Sequence, residues 1–155
     1  MDLLIKKEKN IEIIAQLQNE IQNLHNKCYP DLFKPYDYNL IYDLYKNIIN
    51  CETIHCFIAY DLSTPVGFAI IAEQIIKDHP LFYDHKEIFI DTIVVLNEYQ
   101  SKGIGKKLME EIKTLSCELK YNKITLNVWN KNYNAIEFYK KMGFKELFNY
   151  FELYI

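Results

Sequence analysis

The sequence predicts an α/β domain built on a mixed sheet. Three observations predict it: an antiparallel hairpin pattern in the first half, a strand–helix–strand pattern in the second, and a hydrophobic period that switches between 2 and 3.6 from one segment to the next. Hairpins make antiparallel pairs, whereas a strand–helix–strand crossover makes a parallel one.

Taken in order, Leu3 to Lys7 reads as a short opening strand. Asn10 is placed to cap a helix whose apolar stripe is Ile14, Leu17, Ile21 and Leu24. Pro30-Asp31 ends that region, and Tyr38, Ile41, Leu44 and Ile48 repeat the helical spacing toward Asn50. Cys56 to Tyr60 and Val66 to Ala72 are β-branched and aromatic runs, joined by a turn over Asp61 to Pro65. A polar loop from Lys77 to Lys86 leads to a third run, Ile88 to Val95. From Gly103 to Lys120 the residues Ile104, Leu108, Ile112, Leu115 and Leu119 share one helical face. Ile124, Leu126 and Val128 alternate as a strand does, through to Trp129. Asn132 to Met142 forms a shorter helix closed by Gly143, and Phe144 to Ile155 is strand-like. The expectation is one domain over residues 1–155, with about four helices flanking the sheet.

Composition narrows the function. Half of the 155 residues are apolar and a quarter are charged, enough to bury a core without disulfides. A formal net charge of −3 leaves no basic stripe for phosphates, which argues against a nucleic-acid partner. No apolar run approaches the roughly 20 residues that span a bilayer, so no membrane role is expected. The cysteines at 28, 51, 56 and 117 form no C-x-x-C pair, no leader-like stretch opens the chain and no metal site is expected. A reduced, cytoplasmic protein is the expectation, as monomer or homodimer.

The segment from Val95 to Lys107 joins an apolar strand to an amphipathic helix and contains Gly103 and Gly105. Two glycines at a helix N-terminus let the backbone approach a ligand, and the free N–H groups with the helix dipole favour a phosphate or pyrophosphate. Lys102 and Lys106 add positive charge there. The P-loop pattern fails because Gly105-Lys106 is followed by Lys107 and no glycine stands five before Gly105. The dinucleotide fingerprint fails because Leu108 stands where its third glycine is needed.

Gln100-Ser101-Lys102-Gly103-Ile104-Gly105 resembles the Q/R-x-x-G-x-G/A signature of the GNAT acetyltransferase superfamily, whose loop cradles the pyrophosphate of coenzyme A. The stretch Asn132-Tyr133-Asn134-Ala135-Ile136-Glu137-Phe138-Tyr139-Lys140-Lys141-Met142-Gly143-Phe144 is similar to the family's N-x-x-A-x-x-F/L-Y-x-x-x-G-F block, and the order of elements matches end to end. Each part alone has a plainer account: a tight turn at Gly103 and Gly105, an N-cap at Asn132, a half-buried aromatic at Tyr139.

The resemblance implies an acetyl-CoA-dependent N-acetyltransferase whose fourth and fifth strands splay apart to admit the pantetheine arm. It implies that the backbone of Ile93, Val94 and Val95 binds pantetheine and thioester, with a strand N–H near Val94 or Val95 as oxyanion donor. It further implies that the amides from Ser101 to Lys106 take the pyrophosphate, that Gln100 belongs to the same loop, and that Asn132 reaches the pantetheine amide. Acetyl-CoA is then a cosubstrate and the acceptor a primary amine, of a small molecule or a protein N-terminus, attacked directly without a covalent enzyme intermediate. Tyr139 is the candidate acid for the departing sulfur. Its ordinary pKa of about 10 lies above the 8.5 of a thiol, and proton donation to the sulfur is the expectation. Asp91 is the candidate base, directly or through water, or else a carboxylate pairing at a sheet surface. Asn127 stands where some relatives carry a catalytic glutamate, and asparagine takes no proton. His79 and His85 lie in the loop before the fourth strand, as acceptor-side groups or as solvated histidines. The departure at Asn127 keeps a second expectation open, an acyl-CoA-sensing module without turnover.

Overall fold

Among residues 2–155, which the computed structural model describes, the elements run β1 (Leu3–Lys7), α1 (Ile11–Cys28), α2 (Tyr38–Ile48), β2 (Ile54–Asp61), β3 (Thr64–Ile76), β4 (His85–Val95), α3 (Ile104–Glu118), β5 (Ile124–Leu126) and α4 (Tyr133–Lys141). A single 3-10 turn at Asn97–Tyr99 lies between β4 and α3. The strands form one sheet in the order β1-β2-β3-β4-β5. The first three pairings are antiparallel and β4–β5 is parallel, as the hairpin and crossover patterns require.

Caps set where the helices begin. The Asn10 side chain accepts from Ile13 N–H at 3.1 Å, and Asp37 accepts from Leu40 N–H at 3.1 Å. At the far end of α4, Gly143 has φ +92, Gly143 N–H donates to Lys140 O and Phe144 N–H to Tyr139 O, both at 3.0 Å. That is a Schellman closure, and only a residue tolerant of positive φ completes it cheaply.

Helices cover both faces of the sheet, and each face has its own core. On one, Ile104, Leu108, Met109, Ile112 and Leu115 of α3 pack on Phe57, Ala69, Ile71, Ile88 and Ile90. On the other, Ile14 and Leu17 of α1 and Tyr45 of α2 pack on Cys56, Ile58, Phe68, Ile70 and Val94. The Tyr45 hydroxyl donates to Gln18 Oε1 at 3.0 Å, tying the two helices together beneath the sheet.

The structure corrects several expectations. Phe144 to Ile155 forms no strand, and everything after Phe144 is exposed. Strand β5 stops at Leu126, so Val128 and Trp129 lie beyond it. The hairpin turn is confined to Leu62 and Ser63, because Asp61 already pairs with Thr64. His85 and Lys86 belong to β4 rather than to the loop before it. Helix α2 has the expected period but another phase: Leu40, Leu44 and Ile48 are exposed, while Tyr45 and Ile49 are buried. Its apolar residues run nearly all round, so periodicity marks the helix without fixing the face it buries.

Candidate active site

The site begins with one extra residue in β4. Ile71 pairs with Ile90 and Ile70 with Thr92, so Asp91 is bulged out of the ladder with β3. A bulge shifts side-chain parity by one. Ile88 and Ile90 before it face the α3 core, and so do Ile93 and Val95 after it, while Val94 faces α1 and α2.

The bulge also marks where β4 and β5 part. Their pairing covers Ile88–Ile124, Phe89–Thr125 and Ile90–Leu126 and goes no further. Pairing with β3 continues to Val95 opposite Gly67. Ile88 N–H donates toward β5, to Lys123 O at 2.9 Å, whereas Leu96 N–H donates toward β3, to Val66 O at 3.0 Å. Alternation from these two anchors turns the main chain of Val94 toward β3 and leaves that of Ile93 and Val95 facing the gap. Gly67 lets β3 lie close behind, since a Cβ there would stand 2.6 Å from Val94 O. On the gap side, Gln100 Nε2 donates to Val95 O at 3.2 Å and to Asn97 Oδ1 at 2.9 Å, bracing the turn.

Past that brace the chain opens a run of unbonded amides. Gln100 N–H donates to Asn97 O, and the next amide with a backbone partner is Lys107, on Gly103 O at 3.1 Å. Among the described residues the N–H groups from Ser101 to Lys106 have no protein acceptor. Ser101 (φ 61) and Gly103 (φ 84) are both left-handed and bracket Lys102, the kind of turn that gathers successive amides into an anion-binding concavity. Ile104 is fully buried and anchors the first turn of α3, while Gly105 sits against the Phe138 ring of α4. Lys102 Nζ stands 4.9 Å over the Tyr99 ring, and Lys106 pairs with Glu110 at 3.9 Å in an exposed contact worth only a few tenths of a kcal/mol. Both ammonium groups are thus at the loop.

The far wall comes from α4. Asn132 Oδ1 accepts from Ala135 N–H at 3.3 Å, so it caps the helix and keeps its amide NH2 for another partner. Tyr139 is partly buried, packed edge-to-face on Phe138 and Phe144, with no hydrogen bond from its hydroxyl to any described residue. Burial pushes that hydroxyl up to about 12. Full proton transfer to a thiolate of pKa about 8.5 is then uphill by roughly 5 kcal/mol. The ordering of pKa values therefore opposes complete transfer, and the group suits hydrogen-bond donation to a developing thiolate better than release of its proton.

Asp91 is exposed and accepts from its neighbour Thr92 Oγ1 at 2.9 Å. It lies on the α1–α2 side of the sheet. Burial first, then the Asp91 carboxylate, raise the Tyr45 hydroxyl above its usual range, and burial raises the Cys56 thiol to about 12. Cys56 is therefore inert as a nucleophile. His85 begins β4 and the gap opens at Asp91, so six residues, about 20 Å of strand, separate that histidine from the opening. His79 lies in the loop before His85, at the same remote end, with its Nδ1 accepting from Leu81 N–H.

The first half of the chain, whose residues 29–36 are expected from the sequence to help build the acceptor pocket, supplies a wall beside the end of β5. His25, Tyr29 and Phe33 gather around Trp129, with Tyr29 and Phe33 each 5.1 Å from its ring. Tyr29 donates to Asn130 Oδ1 and accepts from Lys131 N–H, while Lys131 Nζ reaches Cys28 O at 2.8 Å. Burial lowers the His25 pKa, which keeps the ring neutral. Gln22 and Asn26 hold the carbonyls of Lys34 and Phe33. The Pro30-to-Lys34 stretch is thus pinned onto α1 beside the end of β5.

Comparison with known proteins follows the same lines. The sequence model of the acetyltransferase (GNAT) family matches residues 18–144. The chain is 33% identical over 85 residues to the peptidyl-lysine N-acetyltransferase YjaB of Salmonella typhimurium, covering 55% of this chain and 46% of that protein. It is 30% identical over 87 residues to the spermine/spermidine N(1)-acetyltransferase of Bacillus subtilis, covering 52% of each. The chain thus spans about half the length of these curated relatives. A tetramutant of the BH1408 protein from Bacillus halodurans has the same fold, with a TM-score of 0.91 over 98% of this chain and 99% of that one, at 19% identity.

Proposed function

Because the chain belongs to the acetyltransferase (GNAT) family, we propose that it transfers an acetyl group from acetyl-CoA to a primary amine by direct attack in a ternary complex. One observation carries the reading: β4 stops pairing with β5 at Ile90 and runs, with one edge free, into a turn whose amides have no protein partner.

In this proposal pantetheine lies along the free edge and bonds to the main chain of Ile93 and Val95, as an added strand does. The amides from Ser101 to Lys106 take the pyrophosphate, with Lys102 and Lys106 beside them. The NH2 of Asn132 meets the arm from the α4 side. The amine nitrogen bonds to the thioester carbon, charge gathers on the carbonyl oxygen, and the carbon–sulfur bond breaks. The N–H of Ile93 or Val95, already turned into the gap, stabilises the oxyanion without reorganisation. Tyr139 donates a hydrogen bond to the leaving sulfur. Asp91, directly or through water, takes the proton that the amine loses. Relatives named for lysine and for polyamines support a basic amine as acceptor.

The test is release of free CoA from acetyl-CoA in the presence of a panel of primary amines: lysine peptides, polyamines, aminoglycosides and amino-acid derivatives. Turnover with at least one of them is expected. Thermal stabilisation by acetyl-CoA with no transfer to any amine would instead favour a sensing module, and tighter binding of ATP than of CoA would remove the reading altogether.

A further inference from the structure

The acceptor side of the open gap has a chemistry of its own. From the last pair between the strands, Ile90 with Leu126, Asp91 is one residue on and Trp129 is three. Two residues, at most about 7 Å along the strands, therefore separate the carboxylate from the indole. Both lie on the α1 side of the sheet, Asp91 near Tyr45 and Trp129 beside His25, Tyr29 and Phe33. Trp129 remains 41% exposed although those rings pack around it, so the pinned wall keeps part of the indole open. The wall's charge comes from Lys131, whose ammonium stands 4.6 Å over the Tyr29 ring and donates to Cys28 O at 2.8 Å. Among the described residues no carboxylate bonds to any of these wall side chains. Asp31 and Glu152 lie instead near the exposed Tyr154, and burial keeps His25 neutral.

A cluster of rings attracts a cation over its faces or stacks against another ring. Here the chain's own Lys131 already takes the cation's place on Tyr29. A second ammonium would meet that charge with no carboxylate bonded there to offset it, whereas an uncharged ring meets no such penalty. Resting on acetyl transfer to an amine, we propose that the acceptor is an aralkylamine: one amino group at Asp91, a short tether, and an aromatic ring against the exposed part of the Trp129 indole. The short span between carboxylate and indole sets the tether, and the wall sets the ring. Lys131 is then a specificity-determining residue, since its repulsion turns away di- and polyamines.

The test compares CoA release from acetyl-CoA with 2-phenylethylamine and with spermidine as acceptors. The aralkylamine should have the higher kcat/KM by about tenfold or more, from one stacked ring pair and the avoided repulsion together. Trp129→Ala should raise its KM by about tenfold and leave the KM for acetyl-CoA unchanged, a split that general loosening of the fold would not give. Lys131→Met keeps the stem and removes the charge, so it should raise kcat/KM for spermidine several-fold and leave that for 2-phenylethylamine unchanged. Three results overturn the inference while acetyl transfer stands: spermidine preferred by the unaltered chain, a KM for 2-phenylethylamine unmoved by Trp129→Ala, or a spermidine kcat/KM unmoved by Lys131→Met. Should Trp129→Ala fail to fold, the preference of the unaltered chain and its shift in Lys131→Met decide. Should no amine turn over, it is the acetyl-transfer reading that fails, and calorimetry on the unaltered chain then decides what the wall holds. Tighter binding of 2-phenylethylamine than of spermidine supports the ring, and the reverse order or no binding overturns it.

Discussion

The two halves of β4 differ in how much of their main chain is used. Ile88 to Ile90 are paired on both edges, to β3 and to β5, and their core-facing isoleucines are fully buried. Beyond Asp91 the strand keeps its pairing with β3 and loses the other. One half holds the sheet together, and the other leaves one edge of its backbone without a partner strand. The residue between them is a single insertion, which shows how small a change in register separates a fully paired strand from a half-paired one.

Substitutions on either side of the bulge sharpen that contrast. Ile90→Ala removes a side chain 2% exposed and should cost about 2–5 kcal/mol of stability in urea unfolding. Ile93→Ala should cost distinctly less, because that side chain is only partly buried. Equal losses at the two positions would break the comparison. Gly67→Ala tests the support behind the open half. Its Cβ must displace the Val94 carbonyl, at about 1–3 kcal/mol of stability, and acetyl-CoA affinity measured by calorimetry should fall with it.

Tyr139→Phe should lower kcat by about 10- to 100-fold while leaving the acetyl-CoA Kd unchanged, as when a donor used only in the transition state is lost. The same substitution has a pH signature. The folded hydroxyl titrates near 12 against about 10 when unfolded, so folding favours the protonated form. That contribution is complete below pH 10 and is lost as pH rises through 12, up to about 2–3 kcal/mol. The Phe variant should lack this share of the alkaline fall in stability, seen as a flatter curve between pH 10 and 12. Smallest of all, Lys106→Ala should weaken acetyl-CoA binding by a few-fold at low salt and less at high salt, because the group is exposed and screened.

Much of this was legible in the amino-acid order, for physical reasons that can be named. Helix α3 was legible because a single apolar stripe, Ile104, Leu108, Ile112 and Leu115, matches one buried face. The turn into it was legible because only glycine adopts the φ of +84 at residue 103 without strain. The bulge was not legible: residues 88–90 and 93–96 are apolar at every position, so their period does not say which face each side chain takes. The surroundings of Asp91 were not legible, because Tyr45 reaches it from α2 by tertiary packing. The stretch from residue 29 to 36 could be offered for an acceptor pocket, but its contacts with Trp129 and Asn130 were not legible, since Tyr29 and Asn130 meet across 101 residues of chain. The trailing segment was misread because a run of apolar and aromatic residues marks what can be covered, whereas residues 145–155 pair with no strand of the sheet.

Trp129 is the only indole in the chain, and it stands between the pinned α1 loop and the cap of α4. Its fluorescence therefore originates at one known place, beside the end of β5. A shift or quench of that emission on adding acetyl-CoA reads out movement of this wall directly, in the unlabelled protein and before any chemistry occurs.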